Sequence, residues 1–373
     1  MPDLSRASAY DYHLPPDRIA LYPTDRRDGS RLLVMDREAG GESGPSAGRR
    51  FSDRHFSDLF ELVPAGDLLV VNESRVLPVR LLGLKPTGAK CEVLLLRPAP
   101  TDPHCSEDPD GGRERLGRRW EALVRPGSKL KPGHRMVVAS DMEVLIEERT
   151  QGGGRIVRVE SVQPVGEALE AHGRLPLPPY IGRSEEPLDR ERYQTVYARA
   201  PGSVAAPTAG LHFTPELLAS LESQGVQIAR ISLHVGPGTF RPVTADSIDQ
   251  HRLDPENWRI PDGAAEAIGE TKACGGRIWA VGTTVVRALE TAAARDGTVR
   301  EGHGSTGLFI APGFSFRVVD ALITNFHLPR STLLMLLSAF AGYEGTMLAY
   351  DHAVRAGYRF YSYGDAMAVV PIP

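Results

Sequence analysis

Cysteine is scarce in this chain: Cys91, Cys105 and Cys274 are the only three in 373 residues. They are scattered, with no CxxC and no Cys/His cluster, which argues against a disulfide framework or a structural zinc site and suits a reducing compartment. Long apolar runs are also missing. The stretch 333–340 (LLMLLSAF) is too short to span a bilayer, and the N-terminal MPDLSRASAYDYHLPP lacks the apolar core of a signal peptide. No GxxxxGK[ST] loop occurs, so a Walker-type nucleotide site is not expected. Positive charge is not in excess either. With a formal net charge of −4, any nucleic acid has to be held by a local patch. These absences point to a soluble, cytoplasmic protein with no membrane partner and no bound metal, expected as a monomer.

A length of 373 residues predicts two domains, and 41% hydrophobic with 24% charged residues is ordinary globular composition. The pattern changes twice along the chain. Residues 1–80 and 161–373 read as an α/β domain. Its strands are expected at 32–36, 67–71, 227–233, 277–281 and 318–323, with an aromatic strand at 358–367 and helices after 331 and over 350–356. Residues 81–160 instead carry short alternating runs at 92–96, 120–124, 135–138, 142–146 and 155–159, split by Gly and Pro turns. That is the pattern of a small antiparallel β-barrel or sandwich inserted in the chain. Residues 39–50 and 99–119 are low-complexity or charged and poor in apolar side chains, as in surface insertions.

The polar residues of interest gather where strands end. In 318–342 (VVDALITNFHLPRSTLLMLLSAFAG) an apolar strand breaks at a turn carrying Asn325, His327 and Arg330, then enters a buried helix capped by Ser331 or Thr332. Ligands of α/β proteins lie at such carboxyl ends. His212 follows the small-residue turn holding Thr208, and His234 opens a Gly-rich loop after another strand. A single histidine of this kind is more often structural, but three at element boundaries beside small residues favour a shared site. The turn Gly282-Thr283-Thr284 places free N–H groups and two hydroxyls at a helix start, suited to a carboxylate or phosphate. Arg287 and Glu290, in that helix, either reach the same pocket or pair with each other. Near the N-terminus Arg26, Arg27 and Arg31 beside Ser30 match phosphate geometry, although a solvated turn is the plainer reading.

Eight blocks, in order, carry a resemblance: LPPDRIALYPTDRRDGSRLLVMDR, LLVVNESRVLPVRLLG, WEALVRPGSKLKPG, PTAGLHFT, LHVGPGTFRPV, AVGTTVVRALE, ALITNFHLPRSTLLMLLSAFAG and YRFYSYGDAM. Together they closely resemble the S-adenosylmethionine:tRNA ribosyltransferase-isomerases of queuosine biosynthesis. The resemblance implies an α/β catalytic domain with an inserted β-barrel. It also implies transfer and isomerisation of the ribosyl part of S-adenosylmethionine onto the aminomethyl-deazaguanine at the tRNA wobble position. The product is epoxyqueuosine, with adenine and methionine released. S-adenosylmethionine is then a consumed substrate, and no cofactor is expected. One departure stands out: after His251 the family commonly continues toward a Met-His pair, whereas this chain reads Arg252-Leu253-Asp254.

That chemistry needs a base for the proton beside the sulfonium and an acid for departing adenine, tasks natural to neutral imidazole. The expected holders are His212, His234 and His327, in no assigned order. Thr283, Thr284 and Arg287 are expected at the methionine carboxylate, and Thr208 at a substrate in its small-residue turn, where a ligand can approach the backbone closely. Asn72, Arg75, Asn325 and Asp365 are expected at adenine, ribose or the deazaguanine edge, and Arg80 and Arg330 at RNA phosphates. Two rival classes are an S-adenosylmethionine-dependent tRNA methyltransferase and a tRNA-binding module without catalysis.

Overall fold

A computed structural model describes residues 2–37, 51–99, 116–236, 247–248 and 251–371. All of insertion 39–50, positions 100–115 of insertion 99–119 and the loop 237–246 after Gly236 lie outside the described residues.

Nine strands form one sheet. Their order is Gly302–Thr306, Glu256–Ile260, Gln227–Leu233, Leu68–Asn72, Ile278–Val281, Ala321–Asn325, Ala366–Pro371, Arg31–Arg37 and Phe51–His55. The four central strands from Gln227–Leu233 to Ala321–Asn325 are mutually parallel. Ala366–Pro371 runs against them, and Arg31–Arg37 is parallel to it. Both faces of the sheet are covered, which is why its central strands are continuously apolar rather than alternating. Leu33, Met35, Leu68 and Val70 enter one core layer, together with the helices Thr283–Ala292 and Thr332–Ala341. Leu32, Val34, Leu69 and Val71 enter the other, against Phe213 and the helix Pro215–Ser223.

The inserted unit is a closed antiparallel barrel in the order Arg155–Ser161, Arg119–Arg125, Lys90–Pro98, Arg80–Leu84, Arg135–Ala139 and Met142–Arg149. Its alternating residues, among them Val93, Leu95, Val144, Ile146, Val157 and Val159, fill the interior as period-2 patterning requires. The chain leaves the sheet through Ser74–Val76, which pairs in parallel with Ala200–Ser203 on the way back. Arg155 closes one end of the barrel. Buried, it donates to the carbonyls of Gly127 (2.8 Å), Leu130 (3.0 Å), Gly153 (3.0 Å) and Gly154 (2.8 Å). Arg155→Met leaves those acceptors unpaired. At about 1 kcal/mol per lost bond, the expected destabilisation is about 2–4 kcal/mol, read as a lower urea midpoint. An unchanged midpoint would mean that water replaces the guanidinium.

Several expected boundaries shift. The strand expected at 318–323 is Ala321–Asn325, because Asp320 binds the backbone of Ile278 through both its own N–H and its carboxylate. Asn325 is therefore a strand residue. The aromatic strand expected at 358–367 begins only at Ala366: Tyr361, at φ 74°, breaks the extended run, and Phe360 keeps a single bridge to Ile19. The helix expected over 350–356 starts at Tyr343, directly after Gly342. Glu256–Ile260 and Gly302–Thr306 are strands without a counterpart in the sequence reading. No single helix among the described residues is long and apolar enough to cross a membrane.

Candidate active site

Strand direction builds the site. The parallel strands all end on one edge of the sheet, at Leu233, Asn72, Val281 and Asn325. Arg31–Arg37 and Ala366–Pro371 run the other way and start on that edge, which brings Ser30 and Asp365 to the same place. The turn Thr208–His212 packs across it.

His212, Ser30 and Asn325 form a buried chain. His212 Nδ1 lies 2.7 Å from Ser30 Oγ, and its Nε2 lies 3.0 Å from Asn325 Nδ2. The amide nitrogen of Asn325 also donates to the Tyr361 carbonyl at 3.1 Å, an atom that can only accept. That contact fixes the amide orientation, so Nε2 of His212 accepts and the ring proton sits on Nδ1, donated to Ser30. Burial first, then the charges of Arg359, Arg27 and Arg192, push the His212 pKa down to about 3. Phe56 stacks on the ring at 5.0 Å. His212 is thus neutral, with both nitrogens engaged. Asn325 keeps one buried atom, Oδ1, without a partner.

His327 is similarly held. Its N–H donates to the Tyr350 hydroxyl at 2.9 Å, its carbonyl accepts from Tyr12, and its Nε2 lies 2.9 Å from Thr324 Oγ1. Burial alone brings its pKa to about 3. His234 differs. Its backbone N–H donates to the Asn257 carbonyl at 2.9 Å, but its buried Nδ1 has no partner. The ring lies flat on Gly202, where a Cβ would stand 2.6 Å from Cε1; only glycine fits there. Burial lowers the His234 pKa below its ordinary value.

Asn72 is wholly buried and spends its amide on backbone. Oδ1 accepts from the N–H groups of Ser74 (3.1 Å) and Leu233 (3.0 Å), and Nδ2 donates to the Leu233 carbonyl (2.9 Å). It clamps the strand end that carries His234, so it acts on position rather than through ligand contact. Asp365 is another clamp, accepting from the N–H groups of Arg31 (2.9 Å) and Arg359 (2.8 Å).

At the start of Thr283–Ala292, Gly282 at φ 95° approaches Ala209 of the facing turn, and no side chain caps the helix. Thr283 and Thr284 are buried, and Thr284 Oγ1 has no partner. A helix N-terminus with an unpaired hydroxyl beside it is a fit for an anion. Thr208 is half-buried in that facing turn. Arg287 does not supply the expected support. Its guanidinium lies 2.5 Å from Glu256 and also donates to the carbonyls of Leu308 and Thr306, so its charge is neutralised inside the fold. Glu290 does not pair with it either, and accepts from the N–H groups of Arg317, Val318 and Val319.

The remaining arginines lie elsewhere. Arg75 and Arg80 pair with Glu170 (2.9 Å) and Glu92 (3.0 Å). Arg330, at φ 57°, ties its N–H to the Tyr10 carbonyl and leaves a buried Nε unpartnered. The sequence reading placed Ser30 only at a phosphate grip and missed Tyr361 as a site residue. Ser30 stood out in sequence only through the arginines around it, and a tyrosine at positive φ carries no sequence signal. No cluster of metal-ligating side chains occurs among the described residues.

The family described as "Queuosine biosynthesis protein" matches residues 7–369. A protein of Syntrophomonas wolfei named S-adenosylmethionine:tRNA ribosyltransferase-isomerase is 48% identical over 99% of this chain and 98% of its own. One of the same name from Moorella thermoacetica is 49% identical over 98% of this chain and all of its own. The crystal structure of S-adenosylmethionine tRNA ribosyltransferase from Thermotoga maritima aligns over 97% of this chain and 100% of its own, at 38% identity and a TM-score of 0.53.

Proposed function

The chain belongs to the queuosine biosynthesis protein family, and on that premise we propose that it is an S-adenosylmethionine:tRNA ribosyltransferase-isomerase. It moves the ribosyl part of S-adenosylmethionine onto the aminomethyl-deazaguanine at the tRNA wobble position and isomerises it to epoxyqueuosine. Adenine and methionine leave. S-adenosylmethionine is the ribosyl donor and is consumed, with no further cofactor, and the enzyme works as a cytoplasmic monomer. The observation that supports this reading best is the set of buried, unpartnered polar atoms along one sheet edge: His234 Nδ1, Thr284 Oγ1 and Asn325 Oδ1. Buried polar atoms are nearly always paired, so an unpaired group of them is a binding surface awaiting its ligand.

In this reading the methionine carboxylate sits at the helix start with Thr283 and Thr284. His234 is the histidine with a free ring nitrogen and takes the proton beside the sulfonium. Asn325 Oδ1 accepts from an amino group of the purine or deazaguanine. His212 and His327 hold the pocket's shape as neutral rings, Asn72 and Asp365 fix the strand ends, and Thr208 lines the facing turn. Arg330 meets an RNA phosphate, and Arg75 and Arg80 exchange their surface carboxylates for RNA. Thr284→Val removes one hydrogen bond to a charged group. That is worth about 1.5 kcal/mol or more, so the KM for S-adenosylmethionine is expected to rise about tenfold. An unchanged KM would place the carboxylate elsewhere.

The deciding experiment incubates the protein with S-adenosylmethionine and tRNA bearing the aminomethyl-deazaguanine. Adenine, methionine and an epoxyqueuosine nucleoside are expected together. S-adenosylhomocysteine would mean methyl transfer, and no turnover would mean a binding protein.

A further inference from the structure

Three arginines close around the segment 22–27, beside His212. Arg27 donates to the carbonyls of Leu211 (3.1 Å) and Glu191 (2.8 Å). Arg192 donates to those of Thr24 (2.7 Å) and Asp25 (3.1 Å). Arg359 donates to those of Tyr22 (3.1 Å) and Tyr363. Every one of these contacts is to a neutral backbone oxygen. Their neighbours behave differently: Arg26 pairs with Asp28, Arg31 with Asp53 and Arg183 with Asp189. Among the described residues the trio has no carboxylate ion pair, and the Nε atoms of Arg192 and Arg359 are buried without an acceptor. All three guanidinium charges act on His212, and Arg192 acts on Arg27, so they share one field. Glu191, whose charge acts on Arg27, is itself exposed.

Gathering like charges that are half-buried and only partly compensated, by exposed Glu191 beside Arg27, costs stability unless an anion joins them. The backbone carbonyls hold each guanidinium in place without neutralising it, which leaves its charge available to an oxyanion. We propose that Arg27, Arg192 and Arg359 form a socket for one RNA backbone phosphate, adjoining the nucleotide whose base enters the pocket at His212 and Asn325. This rests on the function proposed above. It divides the work as RNA-binding proteins commonly do, with phosphate contacts setting register and the pocket reading the base. Only Arg27 of the three arginines expected near Ser30 takes part.

The test measures binding of a fluorescent anticodon stem-loop by anisotropy across a salt series, without S-adenosylmethionine, so turnover is not needed. Arg192→Gln is expected to weaken binding about tenfold and to lower the slope of log K against log salt by about 0.7, the increment for one single-strand phosphate contact. Arg355→Gln, which removes an exposed charge paired with Asp351, serves as the control and should leave the slope unchanged. Glu191→Gln should tighten binding two- to threefold. A folded Arg192→Gln protein with wild-type affinity and slope overturns the proposal. If Arg192→Gln does not fold, Glu191→Gln decides: tighter binding supports the socket and unchanged binding overturns it. Inorganic phosphate should compete no better than other salts at equal ionic strength; selective competition would assign the socket to free phosphate instead. RNA bound with the expected slope but never converted would refute the enzyme and leave the socket standing.

Discussion

His234→Ala is expected to release adenine from S-adenosylmethionine about 10²- to 10⁴-fold more slowly than the wild type, the range for removing a positioned general base. The prediction singles out this histidine because His212 and His327 have ring nitrogens committed to Ser30, Asn325 and Thr324, whereas Nδ1 of His234 is buried and unpartnered. The pH profile gives an independent reading. The active form is the neutral ring, and burial lowers its pKa. The acidic limb of kcat/KM should therefore lie below 6.5, with a flat rate from there toward pH 8. Asn72→Ala should slow the reaction too, by loosening the strand end that carries His234, but it should leave the position of the acidic limb in place. An His234→Ala enzyme within threefold of wild-type turnover would remove this residue from the chemistry.

Acid should unfold the protein early. In the folded chain His212 and His327 have pKa values near 3, against about 6.5 when unfolded. A depressed folded pKa leaves stability intact above 6.5. As pH falls, the unfolded chain binds protons that the native state refuses, so stability drains away between 6.5 and about 3. At pH 5 each ring contributes a loss of about 2 kcal/mol, or about 4 kcal/mol for the pair, a large share of a typical domain's margin. Urea midpoints at pH 7, 6 and 5 should fall steeply, and His327→Gln should fall less steeply. Midpoints that stay level would mean that one or both rings are protonated in the native state.

Much of this fold is legible in the sequence because its signals are local. Period-2 runs between Gly and Pro turns mark the barrel, and DLLVV or RIWAV can only be strands covered on both faces. Edge strands were harder. Glu256–Ile260 (ENWRI) and Gly302–Thr306 (GHGST) have no apolar pattern and exist because they pair with each other and with the sheet. At the strand ends, residue types could not separate ligand contact from scaffolding. Arg287 and Glu256 lie 31 residues apart, Asn72 and Leu233 161 apart, and nothing in either neighbourhood announces the other. Asp365 and Asn72 look like binding residues in sequence and prove to be clamps, because a buried amide or carboxylate beside backbone N–H groups satisfies them first.

The sheet also constrains how a ribosome can make this protein. Arg31 N–H and the Asp365 carboxylate that receives it are separated by 334 residues, and the first strand lies against the last. The barrel, built from neighbours in sequence, can fold while the rest is still being synthesised. The α/β part cannot complete its middle until the final strand emerges. A chain cut short before Ala366 would leave Arg31–Arg37 and Ala321–Asn325 as unpaired apolar edges, prone to aggregate. The buried hydrogen-bonded chain of Ser30, His212, Asn325 and the Tyr361 carbonyl therefore cannot form until residue 361 has been made.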